Sequence, residues 1–314
     1  MKSNTTSIKR KPEWLKIKLS CGESYGHVSG LLKELKLNTV CRSAHCPNLT
    51  ECWGRGTATF MILGDVCTRS CRFCAVSKGK PIPLDPNEPN RLAEAAVAMK
   101  LKWVVITSVT RDDLPDGGSR HFANVVSQLR RVLPDAGVET LVPDFLGKTD
   151  AIEIICDQPP DVLNHNIETV PRMYSEARFG ASYEHSIWLI KQFSDAEIIT
   201  KSGIMLGLGE SMDEVKEVLN DLRQANCRIL TIGQYLAPSK EHLEIARFVH
   251  PDEFKELEEY AYQIGFDFVA SGPLVRSSYK AEQAGSHLPF HHSIPFRHSR
   301  ESGNPEIFTA DLAD

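Results

Sequence analysis

No stretch of this chain approaches the roughly 18 consecutive apolar residues that a membrane-spanning helix needs. Its N-terminus, MKSNTTSIKRKPEWLKIKL, has no long apolar core of the secretory kind. The chain therefore reads as soluble, either cytoplasmic or organellar after processing, with no membrane partner. Strong charge of one sign is also missing. The 36 Lys and Arg against 41 Asp and Glu leave a formal net charge of −5. That mild balance argues against a dedicated nucleic-acid binder, although it leaves room for a local basic patch. No repeat of 20–50 residues is apparent. What remains is ordinary globular composition over 314 residues, 41% hydrophobic and 25% charged, enough for one large α/β domain or two small ones.

A rhythm begins at residue 57. Short apolar runs at 57–64, 103–109, 138–145, 162–168, 198–209, 229–235 and 266–272 predict strands. The stretches between them, at 88–100, 119–133, 148–157, 183–193, 212–224 and 251–264, predict helices. Ser211 with Glu214 three residues on predicts a capping box at the start of one helix. Strand–helix alternation over about seven units argues a parallel sheet, either an open doubly wound sheet or a full or partial barrel. No Gly-x-Gly-x-x-Gly follows the first strand, so a dinucleotide-binding open sheet loses support.

Nine cysteines are present, and six fall in two trios. Cys67, Cys71 and Cys74 follow the first strand directly, in 67-CTRSCRFC-74, where α/β barrels build their sites. Upstream, 41-CRSAHCPNLTEC-52 carries Cys41, Cys46 and Cys52 in a segment without periodicity, which reads as a loop-like, metal-organised lobe. In a reducing compartment such clusters are read as metal ligands rather than disulfides. A structural zinc site usually takes four ligands. Thiolates suit iron–sulfur clusters, and three of them leave one iron of a cubane open for chemistry. A zinc site with a distant fourth ligand stays open as an alternative for the first trio. His45 is either a further ligand or a loop residue. Cys156 and Cys227 stand alone and read as packed apolar residues; Cys21 also stands alone.

Cys-x3-Cys-x-aromatic-Cys after a first strand resembles the signature of the radical S-adenosylmethionine superfamily. With Cys-x4-Cys-x5-Cys upstream and 276-RSSYKA-281 near the end of the fold, the chain from about residue 10 to 285 resembles the lipoyl synthases. The resemblance implies a partial parallel (β/α)6-type TIM barrel with an N-terminal cysteine-rich extension (1–56), a barrel with the RSSYKA motif (57–284) and a C-terminal segment closing over an auxiliary cluster. A His- and Pro-rich tail (285–314) departs from the family's usual ending and reads as disordered. It implies two [4Fe-4S] clusters. One, on Cys67, Cys71 and Cys74, binds S-adenosylmethionine and generates the radical. The other, on Cys41, Cys46, Cys52 and Ser278, is consumed as the sulfur source. The implied reaction inserts sulfur at C6 and C8 of an octanoyl chain on a lysine of a lipoyl-carrier domain, such as glycine cleavage H protein or a 2-oxoacid dehydrogenase E2. An electron donor and an iron–sulfur carrier are implied partners. Lys9, Arg10 and Lys11 are candidates for docking an acidic carrier. Rivals are another radical enzyme with an auxiliary cluster, of methylthiotransferase or biotin-synthase type, and a non-enzymatic metal-binding module.

Cofactor contacts are sought at the carboxyl ends of the strands. Thr107 and Asp113 are polar groups after the second strand, and Gly117 and Gly118 there are read as allowing close backbone approach to a ligand. Asn164, Asn166 and Glu168 alternate and share one strand face. They predict either a bound polar ligand or a buried polar network. The family resemblance suggests Asn166 and Glu168 lie around the cofactor. The run 203-GIMLGLGE-210 resembles the Gly-x-Ile-x-Gly-x-x-Glu strand of radical enzymes, with Met205 in the Ile place. Lys201, Ser202 and Arg178 are candidates to reach the cofactor's carboxylate or ribose.

Overall fold

The computed structural model describes residues 10–17 and 22–287. Lys9, Cys21 and the tail from residue 288 lie outside the described residues, as does the disorder expected there.

Every one of the seven apolar runs forms a strand and each of the six amphipathic stretches a helix. The chain opens with α1 (Ser24–Glu34), β1 (Asn38–Thr39), α2 (Val40–Ser43) and α3 (Leu49–Gly54). Next come β2 (Thr59–Ile62) and a small parallel pair, β3 (Val66–Cys67) and β4 (Ser77–Lys78). The alternating part continues as α4 (Glu88–Ala98), β5 (Trp103–Ser108), α5 (Ser119–Val132), β6 (Gly137–Leu141), α6 (Thr149–Asp157) and β7 (Val162–Asn164). It goes on with the short α7 (Tyr174–Ala177), α8 (Tyr183–Asp195), β8 (Ile199–Leu206), α9 (Met212–Gln224), β9 (Ile229–Gln234), α10 (Pro251–Gln263) and β10 (Phe268–Ser271), and α11 (Ala281–His287) ends it. The helix α11 takes in residues 285–287, so the tail expected from 285 starts later.

The main sheet has eight strands in the order β1-β2-β5-β6-β7-β8-β9-β10. All pairs are parallel except β1 with β2. The parallel strands follow one another in chain order, so every crossover runs the same way and the helices collect on one face. That is the winding of a barrel, with six β/α units and a seventh parallel strand. It stays open, with β1 and β10 as its two edges. Curling is required by the packing. Val162 of β7, Ile229 of β9 and Ala284 of α11 share one inner cluster with Trp103 of β5 and Phe268 of β10. Strands β5 and β10 stand five steps apart in the sheet, about 24 Å if it were flat at the usual strand spacing.

Local chemistry explains the outer layer. The Ser211 hydroxyl accepts from Glu214 N and the Glu214 carboxylate accepts from Ser211 N, the expected capping box. From that start α9 buries Val215, Val218, Leu219 and Leu222 against the sheet. The N-terminal extension is not a separate lobe. Val28 and Leu32 of α1, Cys41 and Trp53 join the same core as Phe60 and Ile62 of β2. The segment 36–56, expected as loop, carries two short helices instead. Its apolar residues are too sparse for periodicity to show, and their burial comes from the neighbouring barrel.

The loop after β2 is held by one arginine. Arg69 donates to both carboxylate oxygens of Asp112 and to both of Asp144, the latter at 2.6 Å. It thereby ties the first cysteine trio to the loops after β5 and β6. Burial pushes the Asp144 carboxyl up, but the hydrogen bonds and charge of Arg69 outweigh it and hold the group well below the usual carboxylate range.

Two outcomes follow. A Cβ on Gly137 would lie 2.0 Å from the Trp103 ring, so Gly137→Val should destabilise the chain by roughly 1–3 kcal/mol through overpacking, read as a lower urea midpoint. A carboxyl whose folded pKa is depressed stabilises the fold above its unfolded value near about 4 and loses that contribution as pH falls towards the folded value. Asp144→Asn should therefore cost roughly 3 kcal/mol at neutral pH. The difference from wild type should begin to shrink only below about pH 4 and go on shrinking as pH falls towards the folded value, checked by urea unfolding of the cluster-free chain across pH.

Candidate active site

The first trio hangs from β3 and the loop behind it, at the carboxyl end of β2. Two backbone N–H groups, of Arg69 and Thr110, donate to the Cys67 sulfur at 3.4 Å each. Burial pushes the Cys71 thiol up and takes Cys74 to about 11. Phe73 packs its ring into the second half of the core, and His242 bonds the Cys74 carbonyl at 3.1 Å, so the segment around residue 242 covers the loop.

Facing this loop is a buried cation. Arg178 donates to the Asn166 carbonyl, the Tyr174 hydroxyl and Ser186 Oγ at 3.1–3.2 Å. His165 lies at 3.4 Å. Burial and the Arg178 charge push His165 down to about 3, so it stays a neutral acceptor. Among the described residues no carboxylate lies within ion-pair distance of Arg178, which is 9% exposed. Glu168 is close enough to act electrostatically on Cys71, Cys74 and Arg178. Burial raises its own carboxyl. Its φ of +68° is a left-handed conformation rare outside glycine. Hydrogen bonds on both sides hold it there, Glu168 N to Gly203 O and Met205 N to Glu168 O, each 2.9 Å. Strain fixed in this way is characteristic of functional positions.

Asn164, Asn166 and Glu168 do fall near one another, and with them come buried polar atoms lacking a protein partner. Both amide atoms of Asn164 and Oδ1 of Asn166 make no hydrogen bond, while Asn166 Nδ2 donates to Ser277 Oγ at 3.2 Å. Buried polar groups are nearly always satisfied. This orphaned set, the uncompensated Arg178 and three soft donors fit a polar cofactor that carries a carboxylate, on a thiolate-held cluster.

Several expected contacts are taken up otherwise. Lys201 is paired with Glu139 at 2.7 Å in the interior, the two side chains 2% and 0% exposed. Strand β7 lies between them, and a lysine neutralised there is withdrawn from the cofactor's carboxylate. Ser202 Oγ is spent on the backbone of His165 and Ile167. Thr107 donates to the Leu141 carbonyl, and Asp113 pairs with Arg111. Gly117 and Gly118 have positive φ, but a Cβ on either would meet Phe145 or Leu63. They serve a tight turn packed against these two side chains. Met205 is half-buried beside the second core. In its motif the Glu210 carboxylate accepts three backbone N–H groups, of Gly207, Leu208 and Gly209, and so fixes the turn.

The second trio lines one cavity with Ser278, Arg276 and Tyr279, floored by Thr59, Trp103 and Val105 from the barrel interior. Burial raises the Cys46 thiol and takes Cys52 to about 11. The Arg276 guanidinium sits close enough to Cys46 to oppose that, and burial lowers its own pKa. The eight described cysteines are all free thiols, and three soft donors with a hydroxyl beside them fit a second cluster. His45 is exposed with φ +50° and is a loop residue. Cys227 is fully buried, as expected, while Cys156 is only half-buried. Among the described residues no three His, Cys, Asp or Glu side chains converge on one metal-ion position. No helix of the described residues is long and apolar enough to cross a membrane.

Sequence reasoning missed Arg69 and Asp144. Arg69 stood inside the quoted cysteine motif, but its partners lie 43 and 75 residues away.

Comparison with known proteins agrees with this geometry. Residues 61–222 match the Radical SAM superfamily, and residues 1–46 match the N-terminal domain of lipoyl synthase. Lipoyl synthase of Hahella chejuensis is 56% identical over 282 residues, covering 89% of this chain and 85% of that protein. Lipoyl synthase of Caldanaerobacter subterraneus subsp. tengcongensis is 56% identical over 275 residues, covering 87% and 96%. Among solved structures, Streptococcus suis SuiB bound to S-adenosylmethionine superposes with a TM-score of 0.54 at 14% identity, over 78% of this chain and 57% of that one. That likeness speaks for the fold alone. By the cysteine trios, the barrel that presents them and these relatives, the chain belongs to the lipoyl synthase family of radical S-adenosylmethionine sulfurtransferases.

Proposed function

We propose that the chain converts a protein-bound octanoyl-lysine to the lipoyl group by inserting sulfur at C6 and C8, with the two trios in different roles. The observation that carries this division is electrostatic and positional. Each trio has a guanidinium close enough to act on it, Arg178 on Cys71 and Arg276 on Cys46, and the second trio lines one cavity with the Ser278 hydroxyl. When bound, S-adenosylmethionine and the first cluster supply a hydrogen-abstracting radical, and the auxiliary cluster supplies the sulfur.

The chain's own groups bind and orient. Cys67, Cys71 and Cys74 would hold one cluster, three thiolates for a group of four irons. Arg178 offers its charge to the cofactor's carboxylate, Asn166 Oδ1 accepts from a donor of the cofactor, and Glu168 faces a hydroxyl or ammonium. Cys41, Cys46 and Cys52 hold the auxiliary cluster with Ser278, whose harder oxygen suits the iron less well than a thiolate. The barrel interior between the two sites, closed by α11 below, excludes water from the acyl chain. The substrate is an octanoylated lipoyl-carrier domain, and an electron donor and an iron–sulfur carrier serve the clusters. Six unpaired thiols of this kind persist in a reducing cytoplasm.

Anaerobically loaded protein should hold about eight irons and eight sulfides. With S-adenosylmethionine and a reductant it should add two sulfurs to an octanoyl-lysine peptide, followed by mass spectrometry. Zinc in place of iron, or no sulfur added by fully loaded protein, would overturn the proposal. Asn166→Ala should weaken S-adenosylmethionine binding about 5- to 30-fold, in line with a lost buried hydrogen bond of roughly 1–2 kcal/mol. Equilibrium binding to the loaded protein reads this directly.

A further inference from the structure

The segment that carries Ser278 is fastened to the auxiliary cysteine motif by side chains that belong to neither ligand set. Tyr279 Oη donates to Glu51 Oε1 at 3.0 Å, across 228 residues of sequence. Asn48 Nδ2 donates to the Leu274 carbonyl at 2.8 Å, across 226. Glu51 lies one residue before Cys52, and Asn48 two after Cys46. The Arg55 guanidinium lies over the Tyr279 ring at 6.0 Å, pairs with Glu51 at 4.0 Å and acts on the Cys52 thiol. Lys280 also lies over this ring, at 5.2 Å. Tyr279 is thus held by a directed bond and two cations, and its neighbour in the chain is Ser278.

We propose that the Tyr279–Glu51 hydrogen bond is a positioning latch that sets how firmly the fourth iron of the auxiliary site is held. This rests on Ser278 being a ligand of that site. A serine oxygen is the weakest of the four donors, so its hold depends on how closely the backbone presents it. Arg55 couples the latch to Cys52, so loss of the bond loosens both sides of the cavity together. Glu51 and Tyr279 are positioning residues and touch no substrate.

The test uses the full chain with Cys67, Cys71 and Cys74 replaced by Ala, so that only the auxiliary site loads. Iron loss to a chelator, and the electron paramagnetic resonance signal of the three-iron cluster in samples oxidised by ferricyanide, are followed in time. Tyr279→Phe and Glu51→Ala should each speed loss of one iron about three- to tenfold, the effect of one hydrogen bond. Glu51→Gln keeps an acceptor for the tyrosine and should restore slow loss. The double variant Tyr279→Phe/Glu51→Ala should lose iron no faster than either single one, the mark of a shared contact. Ser278→Ala is the reference. Should it lose iron rapidly while Tyr279→Phe and Glu51→Ala match the parent, the latch is wrong and the ligand reading stands. Unchanged iron retention in Ser278→Ala removes the ligand reading and the latch with it. If Tyr279→Phe does not fold, the comparison of Glu51→Ala with Glu51→Gln decides.

Discussion

A thiolate in a low-dielectric loop needs a counter-charge, and this fold gathers six cysteines in two such loops. Burial pushes up the thiols of Cys46, Cys71, Cys52 and Cys74, the last two to about 11. Beside each trio stands a guanidinium with no carboxylate at ion-pair distance among the described residues, the buried Arg178 for one and the half-buried Arg276 for the other. An uncompensated buried cation costs several kcal/mol. Both costs, the desolvated thiol and the unpaired cation, are offset together when the thiols become thiolates on a metal cluster. Elsewhere the chain pairs its buried charges normally, as in Lys201–Glu139 and Arg69–Asp144.

The open barrel makes two such loops possible in one domain. Its parallel strands leave β1 and β10 as unpaired edges, and the last turns of chain run into the inner face. Val275 packs against Gly233, where a Cβ would lie 2.2 Å from the Val275 carbonyl oxygen, and Ala284 plugs the lower layer. This brings Ser277 to Asn166 at one site and Ser278 to the second trio at the other. The interior lies between them, which suits a reaction that needs a radical from one side and sulfur from the other.

Much of this was legible along the chain. Seven strands and six helices follow from hydrophobic period, and the capping box at Ser211 follows from residue types three apart. The trios stand out because their cysteines are close in sequence. The cofactor contacts were harder. Asn164, Asn166 and Glu168 were read as one strand face, but β7 ends at Asn164 and Glu168 turns to a φ of +68°. Lys201 is spent on Glu139, 62 residues away. Gly117 and Gly118 look the same in sequence whether a ligand or Phe145 and Leu63 fills the space beside them.

Local pattern thus determined what this protein is built from: the order of strands and helices, two sets of soft donors, and a serine motif far downstream. These are properties of residue type and short spacing, which a chain carries whether folded or not. Only the tertiary structure decided which polar groups are free. It consumed Lys201, Thr107 and Ser202 in internal bonds, left Asn164, Asn166 and Arg178 without full compensation, and joined Tyr279 to Glu51. Hydrogen bonding and desolvation depend on distances across the fold, and those are set when the sheet curls and the C-terminal segment enters it.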